Sequence, residues 1–475
     1  MKTITRVFSF TKRNLLFIIL ASQPFLDVIS YIQRDLPTSY AGYIRLFITV
    51  FLPLYTLFLV KDKKPLILWF CVIGAFCALH VLNCIRVGYI DFYADIRYLL
   101  SVISAPIFLI CFSFLFDKEE IKSQILSAIT VNIAVIFLLF FISYFTKTGL
   151  VTYADTKVGW TGFAAIPNAQ SLIIAAVLPF AVYLLLKYCG KFFPLPLLAT
   201  CFIYFINATM AAYFSLLLVL AGYLLFLIFR FFIKKDLKFP VYNVIAFTLV
   251  ISLVIAAYPY SPRYNVDVKE QTTKNYKENL IQSEIVNSDF DPFDDVVSPT
   301  EEIYLKNIDS ALIERFGEIQ VLNAYGENLN SSGITDMRLK KRIFASLVYN
   351  ETDFLTKLFG FEYSNMEYNG KIFDLENDFP AIFYYYGYIG FGLYILLLVY
   401  FFLRIAKQLI FDFKESFNSF NFAIFLSFAL CMGGALFSGY LLRKPNVSVY
   451  LAAVLLLILS RTEPLSKVIK RGKDD

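Results

Sequence analysis

The chain has 475 residues, 58% of them hydrophobic and only 17% charged, with a formal net charge of +6 and a mean hydropathy of +0.64. A water-soluble domain needs far more charge to cover its surface, so this composition excludes the soluble classes and implies an all-α polytopic membrane protein. The charge is divided: residues 260–379 hold 12 basic and 22 acidic residues and the remainder 31 and 15, so the basic excess suits an anionic lipid surface and gives no reason to expect nucleic acid.

A basic start (Lys2, Arg6, Lys12, Arg13) runs into the first apolar stretch without a small-residue cleavage site, which reads as a span rather than a signal peptide. Apolar runs near 20 residues long cross about 30 Å of hydrocarbon as helices. About twelve are predicted, at 14–32, 43–60, 65–84, 99–116, 125–145, 171–186, 194–208, 210–233, 241–259, 380–403, 421–442 and 447–460. Segments assigned to the inner side hold 23 Lys/Arg; the short outer ones hold eight, namely Arg34, Arg45, Arg86, Arg97, Lys147, Lys157, Arg443 and Lys444. This asymmetry predicts a multi-pass protein of the cell membrane with both termini cytoplasmic and one large extracytoplasmic loop. The expected organisation is spans one to nine in 1–259, the loop in 260–379, and three spans with a cytoplasmic tail in 380–475.

Within the loop, the Asp- and Asn-rich part up to Pro299 reads as irregular. From Thr300, Ile303, Ile308, Leu312, Ile313, Phe316 and Ile319 recur at roughly helical spacing. A second amphipathic helix is predicted over 335–349, with Met337, Phe344, Leu347 and Val348 on its apolar side. All seven cysteines fall in or beside the spans, and the one histidine, His80, is in the third. The loop therefore holds no disulfide framework, Cys metal site, His-based zinc site or Ser-His triad.

Arg338, Lys341 and Arg342 share one face of the second helix, which suits a phosphate or diphosphate; the other reading is a solvated face balanced by the loop's acids. Arg45 and Arg97, at the outer ends of spans, either bind an anion or snorkel and pair with Asp27, Asp35 or Asp95. Glu376 and Asp378 precede Pro380 at the mouth of a span, as a general base or as helix-capping acids. His80 reads first as a core residue near Asn83, and Thr161 to Asn168 as a turn whose Asn168 caps the next helix.

The order of these segments resembles the O-antigen ligase and O-antigen polymerase (Wzy-type) membrane proteins, most closely a Gram-positive-type branch of capsule and teichuronic acid polymerases. The residues that carry the likeness are Gln23-Pro24-Phe25-Leu26-Asp27, then Gly162 through Pro167-Asn168, then Arg338 or Arg342 followed by Leu358-Phe359-Gly360. The last are Glu376-Asn377-Asp378-Phe379 and Tyr386-Gly387-Tyr388-Ile389-Gly390-Phe391. The resemblance implies a GT-C-like helical fold and glycan transfer from an undecaprenyl-diphosphate-linked donor to an acceptor hydroxyl at the outer membrane face. It implies no cofactor and no metal.

Under it, Glu376 and Asp378 are the expected catalytic acids. Arg338, Arg342, Arg97 and Arg45 are the expected diphosphate ligands, and Lys341, Asn168 and Asn377 further substrate contacts. Expected partners are lipid-linked donor and acceptor, the bilayer, and a chain-length regulator or other glycan-assembly protein. Ligases of the family show a His-Asn pattern where this chain has Glu376-Asn377, and Met210-Ala211 stand where a cation is usual; the first departure favours a polymerase. A ligase, a polysaccharide flippase and a non-catalytic scaffold are the competing readings. A transporter would gather polar residues along mid-membrane helices in repeated halves.

Overall fold

The computed structural model describes residues 13–36, 39–154, 156–233, 240–287 and 299–462. Lys2, Arg6, Lys12 and the basic residues after 462, which are part of the count behind the cytoplasmic assignment of both ends, lie outside this set.

Among the described residues, eleven helices are long and apolar enough to cross a membrane. They are α1 Arg13–Ile32, α2 Tyr40–Leu59, α3 Lys64–Val87, α4 Phe92–Leu115, α5 Lys118–Thr146, α6 Pro167–Tyr188, α7 Gly190–Asn207, α8 Met210–Ile233 and α9 Val241–Tyr260, then, after the polar segment, α17 Asp378–Phe411 and α19 Ser419–Phe437. Between them come α10 Pro262–Asn287, α11 Pro299–Asn307, α12 Ser310–Phe316, α13 Glu318–Tyr325, α14 Ser331–Thr335, α15 Met337–Glu351 and α16 Phe354–Phe359. The short α18 Phe413–Ser416 precedes α19, and α20 Pro445–Arg461 closes the fold. The expected twelfth span is thus a 17-residue apolar helix, shorter than the others because Pro445 opens it and Thr462, in extended conformation, ends it.

The chain divides into two compact units. The first comprises residues 1–72, 100–265 and 395–475; the second comprises 73–99 and 266–394. In the first, α6 and α20 are buried along most of their length. Both are apolar on every side and rich in Ala and Ser, the composition of a helix enclosed by others. Small residues let neighbours approach: a Cβ on Gly434 would lie 2.4 Å from Leu172. Pro179 interrupts the hydrogen-bond ladder of α6, and side chains supply bonds nearby: Ser427 Oγ donates to Ala176 O (2.6 Å) and Tyr223 Oη to Pro179 O (2.7 Å).

The second unit corrects two expectations. The part of the loop read as irregular is largely the 26-residue helix α10. Its polar surface hides the periodicity; Lys274–Glu278 and Gln271–Asn275 pairs at i,i+4 and the buried Val266 and Ile281 support it. The helical pattern after Thr300 is three short helices, divided where Asp309 caps α12 and Gly317 takes φ +82° between α12 and α13. Met337, assigned to the apolar face, is exposed, because it lies in the first turn of its helix, ahead of the turns that pack; Ile319, in the first turn of α13, is exposed too. A two-stranded hairpin, β1 Glu367–Tyr368 and β2 Lys371–Ile372, turns through Asn369 and Gly370, both at positive φ.

Candidate active site

Within the second unit, α15 starts at Met337 because the Asp336 carboxylate accepts from the N–H groups of Arg338 and Leu339 (2.8 and 3.2 Å). That cap sets Arg338 and Lys341, three residues apart, on one side of the first turn of α15. Both cations reach Glu376: Arg338 Nε donates to Oε2 at 2.8 Å and Lys341 Nζ to Oε1 at 2.9 Å. Burial alone would raise the Glu376 pKa. Lys341 and then Arg338 outweigh it and hold the carboxyl below its ordinary range. Arg342 is exposed and, among the described residues, has no carboxylate within ion-pair distance; its charge acts on the Tyr384 hydroxyl.

Two residues on, Asp378 opens α17 and is fully buried, a carboxylate at the positive end of a helix, with Pro380 in the first turn. Asn377 stands just before it, half-buried. The first unbroken stretch of α17 is short, because Gly387 takes φ +62° and ψ −169°. A Cβ there would lie 2.5 Å from the carbonyl of Leu358, and a Cβ on Gly360 would lie 2.0 Å from the carbonyl of Tyr385. Two glycines thus let the Leu358-Phe359-Gly360 turn press backbone to backbone on the break in α17.

The same turn is held from α3. Asn83 Nδ2 donates to Gly360 O at 3.0 Å, and His80 Nδ1 lies 2.8 Å from Phe359 O. His80 Nε2 lies 3.2 Å from Asp95 Oδ2, which also accepts from Tyr89 Oη at 2.9 Å. Arg86 pairs with Asp353 at 2.6 Å, and the buried Glu362 accepts from the backbone N–H groups of Ile90 and Asp91. His80 is therefore a core residue, but a polar one with an assigned partner at each ring nitrogen. Arg97 lies in the second turn of α4, exposed. It is inside the helix because α4 starts at Phe92, seven residues ahead of the predicted span, where Asp91 accepts from Ala94 N.

Arg45 and Asn168 belong to the first unit. Arg45 is buried and donates to Asp27 Oδ1 (2.7 Å), Gln23 Oε1 (3.1 Å) and Gln23 O (3.4 Å), which favours the ion-pair alternative. Asn446 Nδ2 also reaches Asp27 at 3.4 Å. Asp27, Pro24, Thr161, Phe163 and Gln170 line one small recess, so the Gln23–Asp27 stretch and the turn before α6 meet there. Asn168 does not cap α6: Pro167 takes the first helical position, Ile166 is the cap residue, and Asn168 falls inside the first turn.

Sequence reasoning named Asn83 only as a neighbour of His80 and Asp95 only as an arginine's partner, and missed Tyr89 and Glu362. The available signal was their clustering around one helix end, where ionisable groups near a membrane need partners.

The family described as O-antigen ligase like membrane protein matches residues 9–463, nearly the whole chain. No curated protein matches it at a significant level.

Proposed function

From the premise that the chain belongs to the O-antigen ligase-like membrane proteins, we propose that it is a polysaccharide polymerase acting at the extracytoplasmic face of the cell membrane. It transfers a glycan from an undecaprenyl-diphosphate donor to the hydroxyl of a lipid-linked acceptor, with inversion and without a metal. The observation that carries this reading is the Glu376 carboxylate held between Arg338 and Lys341 at the head of a membrane-length helix, with Arg342 exposed beside them.

In this arrangement the candidate base is held by Arg338, a candidate diphosphate ligand, and by Lys341, a further candidate substrate contact, and the donor resolves the conflict. A diphosphate carries more charge than a carboxylate and accepts bidentate bonds from arginine, so it competes with Glu376 for Arg338 and Lys341, steered by Arg342. Releasing Glu376 removes the cations that hold its pKa down, while its partial burial still raises it. The freed carboxylate takes the acceptor proton. The acceptor oxygen bonds to the anomeric carbon, and the bond to the diphosphate oxygen breaks with its electron pair leaving on the diphosphate. Arginines stabilise that charge in a water-poor site. Glu376 rather than Asp378 acts as base, since Asp378 is fully enclosed at the helix start. Arg97 and Asn377, in the same unit as Glu376, are further candidate donor contacts.

The test is complementation of a strain lacking the gene with Glu376→Gln, Arg338→Gln and Arg342→Ala, surface glycan being resolved by size and membrane levels checked. The expected result is loss of the ladder and accumulation of a single lipid-linked repeat, a fall of about 10²–10⁴-fold for the base variant. Full-length lipid-linked polymer without surface attachment would mark a ligase. An unchanged ladder would return these residues to a structural role.

A further inference from the structure

The contacts of His80 pose a problem of proton bookkeeping. A backbone carbonyl only accepts hydrogen bonds, so Nδ1, 2.8 Å from Phe359 O, carries the ring hydrogen. In the neutral ring this leaves Nε2 as a lone pair, aimed at the Asp95 carboxylate 3.2 Å away. Cys84, one helical turn after His80 on the same face of α3, places its sulfur 3.8 Å from that nitrogen. The three donor atoms lie within 4.8 Å of one another, and all three residues are buried.

We propose that His80, Cys84 and Asp95 form a divalent-cation site whose donor set selects zinc. Imidazole, thiolate and carboxylate are all zinc donors, and a thiolate disfavours magnesium and calcium. With bonds of about 2.0–2.3 Å, tetrahedral donors stand roughly 3.3–3.6 Å apart; two of the three separations, 3.2 and 3.8 Å, are close to this, and the third lies within 4.8 Å. The surroundings fit as well. A metal-bound imidazole commonly donates its other N–H to a backbone carbonyl, as His80 does to Phe359. Asp95 is oriented by Tyr89 Oη (2.9 Å) and by the N–H of Tyr363 (3.4 Å). The ion fastens the end of α3 to the first turn of α4 and, through His80, steadies the Leu358–Gly360 turn against Gly387. It takes no part in glycan transfer, and the inference does not depend on that reading.

Full-length protein purified in detergent without chelator is expected to carry about one zinc per chain by elemental mass spectrometry. His80→Asn and Cys84→Ser should each reduce it to background. Should a variant fail to accumulate, the unaltered chain supplies a second measurement: stripped of metal and titrated with cobalt(II), it should develop a sulfur-to-cobalt absorption band saturating near one equivalent. Zinc at background in the unaltered protein together with no cobalt band would overturn the site in favour of an imidazolium–carboxylate pair. Equal zinc in the unaltered chain and both variants would mark an adventitious ion and overturn it too.

Discussion

Two Arg–carboxylate contacts, one in each unit, have nearly the same length and opposite character. Arg45–Asp27, at 2.7 Å, is enclosed, with side chains 8% and 16% exposed. Arg338–Glu376, at 2.8 Å, is open to solvent on the arginine side, at 47% and 23%. In the first, every donor of the pair that reaches an acceptor does so inside the unit, and removing one partner strands a charge that little water reaches. In the second, water and competing anions reach the pair, so its net contribution is small and its partners are exchangeable. Geometry alone does not separate a fixed ion pair from a ligand site; access to a competitor does.

The largest effect should come from breaking the enclosed pair. Arg45→Met leaves Asp27 uncompensated and should cost about 3–5 kcal/mol, read as loss of membrane accumulation and of thermal stability in detergent. Adding Asp27→Asn should recover much of the loss, and an Arg45→Met protein as stable as the parent would remove the distinction between the two pairs.

Next in size is the backbone contact in the second unit. Gly387→Ala meets the Leu358 carbonyl and a positive φ together, for about 2–4 kcal/mol. Gly392→Ala, five residues later with open space around its Cβ, should be neutral or stabilising by up to about 1 kcal/mol. Equal melting shifts for the two would contradict the close approach.

Breaking the open pair should barely alter stability. Glu376→Gln is expected within about 1 kcal/mol of the parent by thermal unfolding, even where its glycan product is absent. A large destabilisation would make Glu376 a structural partner. The smallest effect is its pH dependence. Because the folded-state pKa of Glu376 is depressed, its contribution is present above the unfolded value near 4.3 and is lost as pH falls through the folded one. The stability difference between the parent and Glu376→Gln should therefore shrink on acidification below about pH 4 and stay flat above pH 6. A difference that grows on acidification would reverse the assigned direction.

Much of the fold was legible because a bilayer imposes length and apolarity on each span. The ends of helices were not, since hydropathy is blind to caps. Asp117 with Glu120 forms a capping box that starts α5 at Lys118, seven residues before the predicted span, and Asp91 similarly extends α4. The Asn369-Gly370 turn was a readable hairpin signal. The basic face of α15 and the acids before α17 were both visible, but that Arg338 and Lys341 grip Glu376 was not, because 35 residues or more separate them.

The sequence by itself determined the class, the spans and the residue types that chemistry at a membrane surface requires, through composition and local periodicity. Tertiary structure alone decided which cations are committed and which are exposed, why Gly360 and Gly387 both lack a side chain, and that His80, Cys84 and Asp95 converge. Those are contacts between segments far apart in the chain, and the free energy of a charge or a close backbone approach depends on what surrounds it in space.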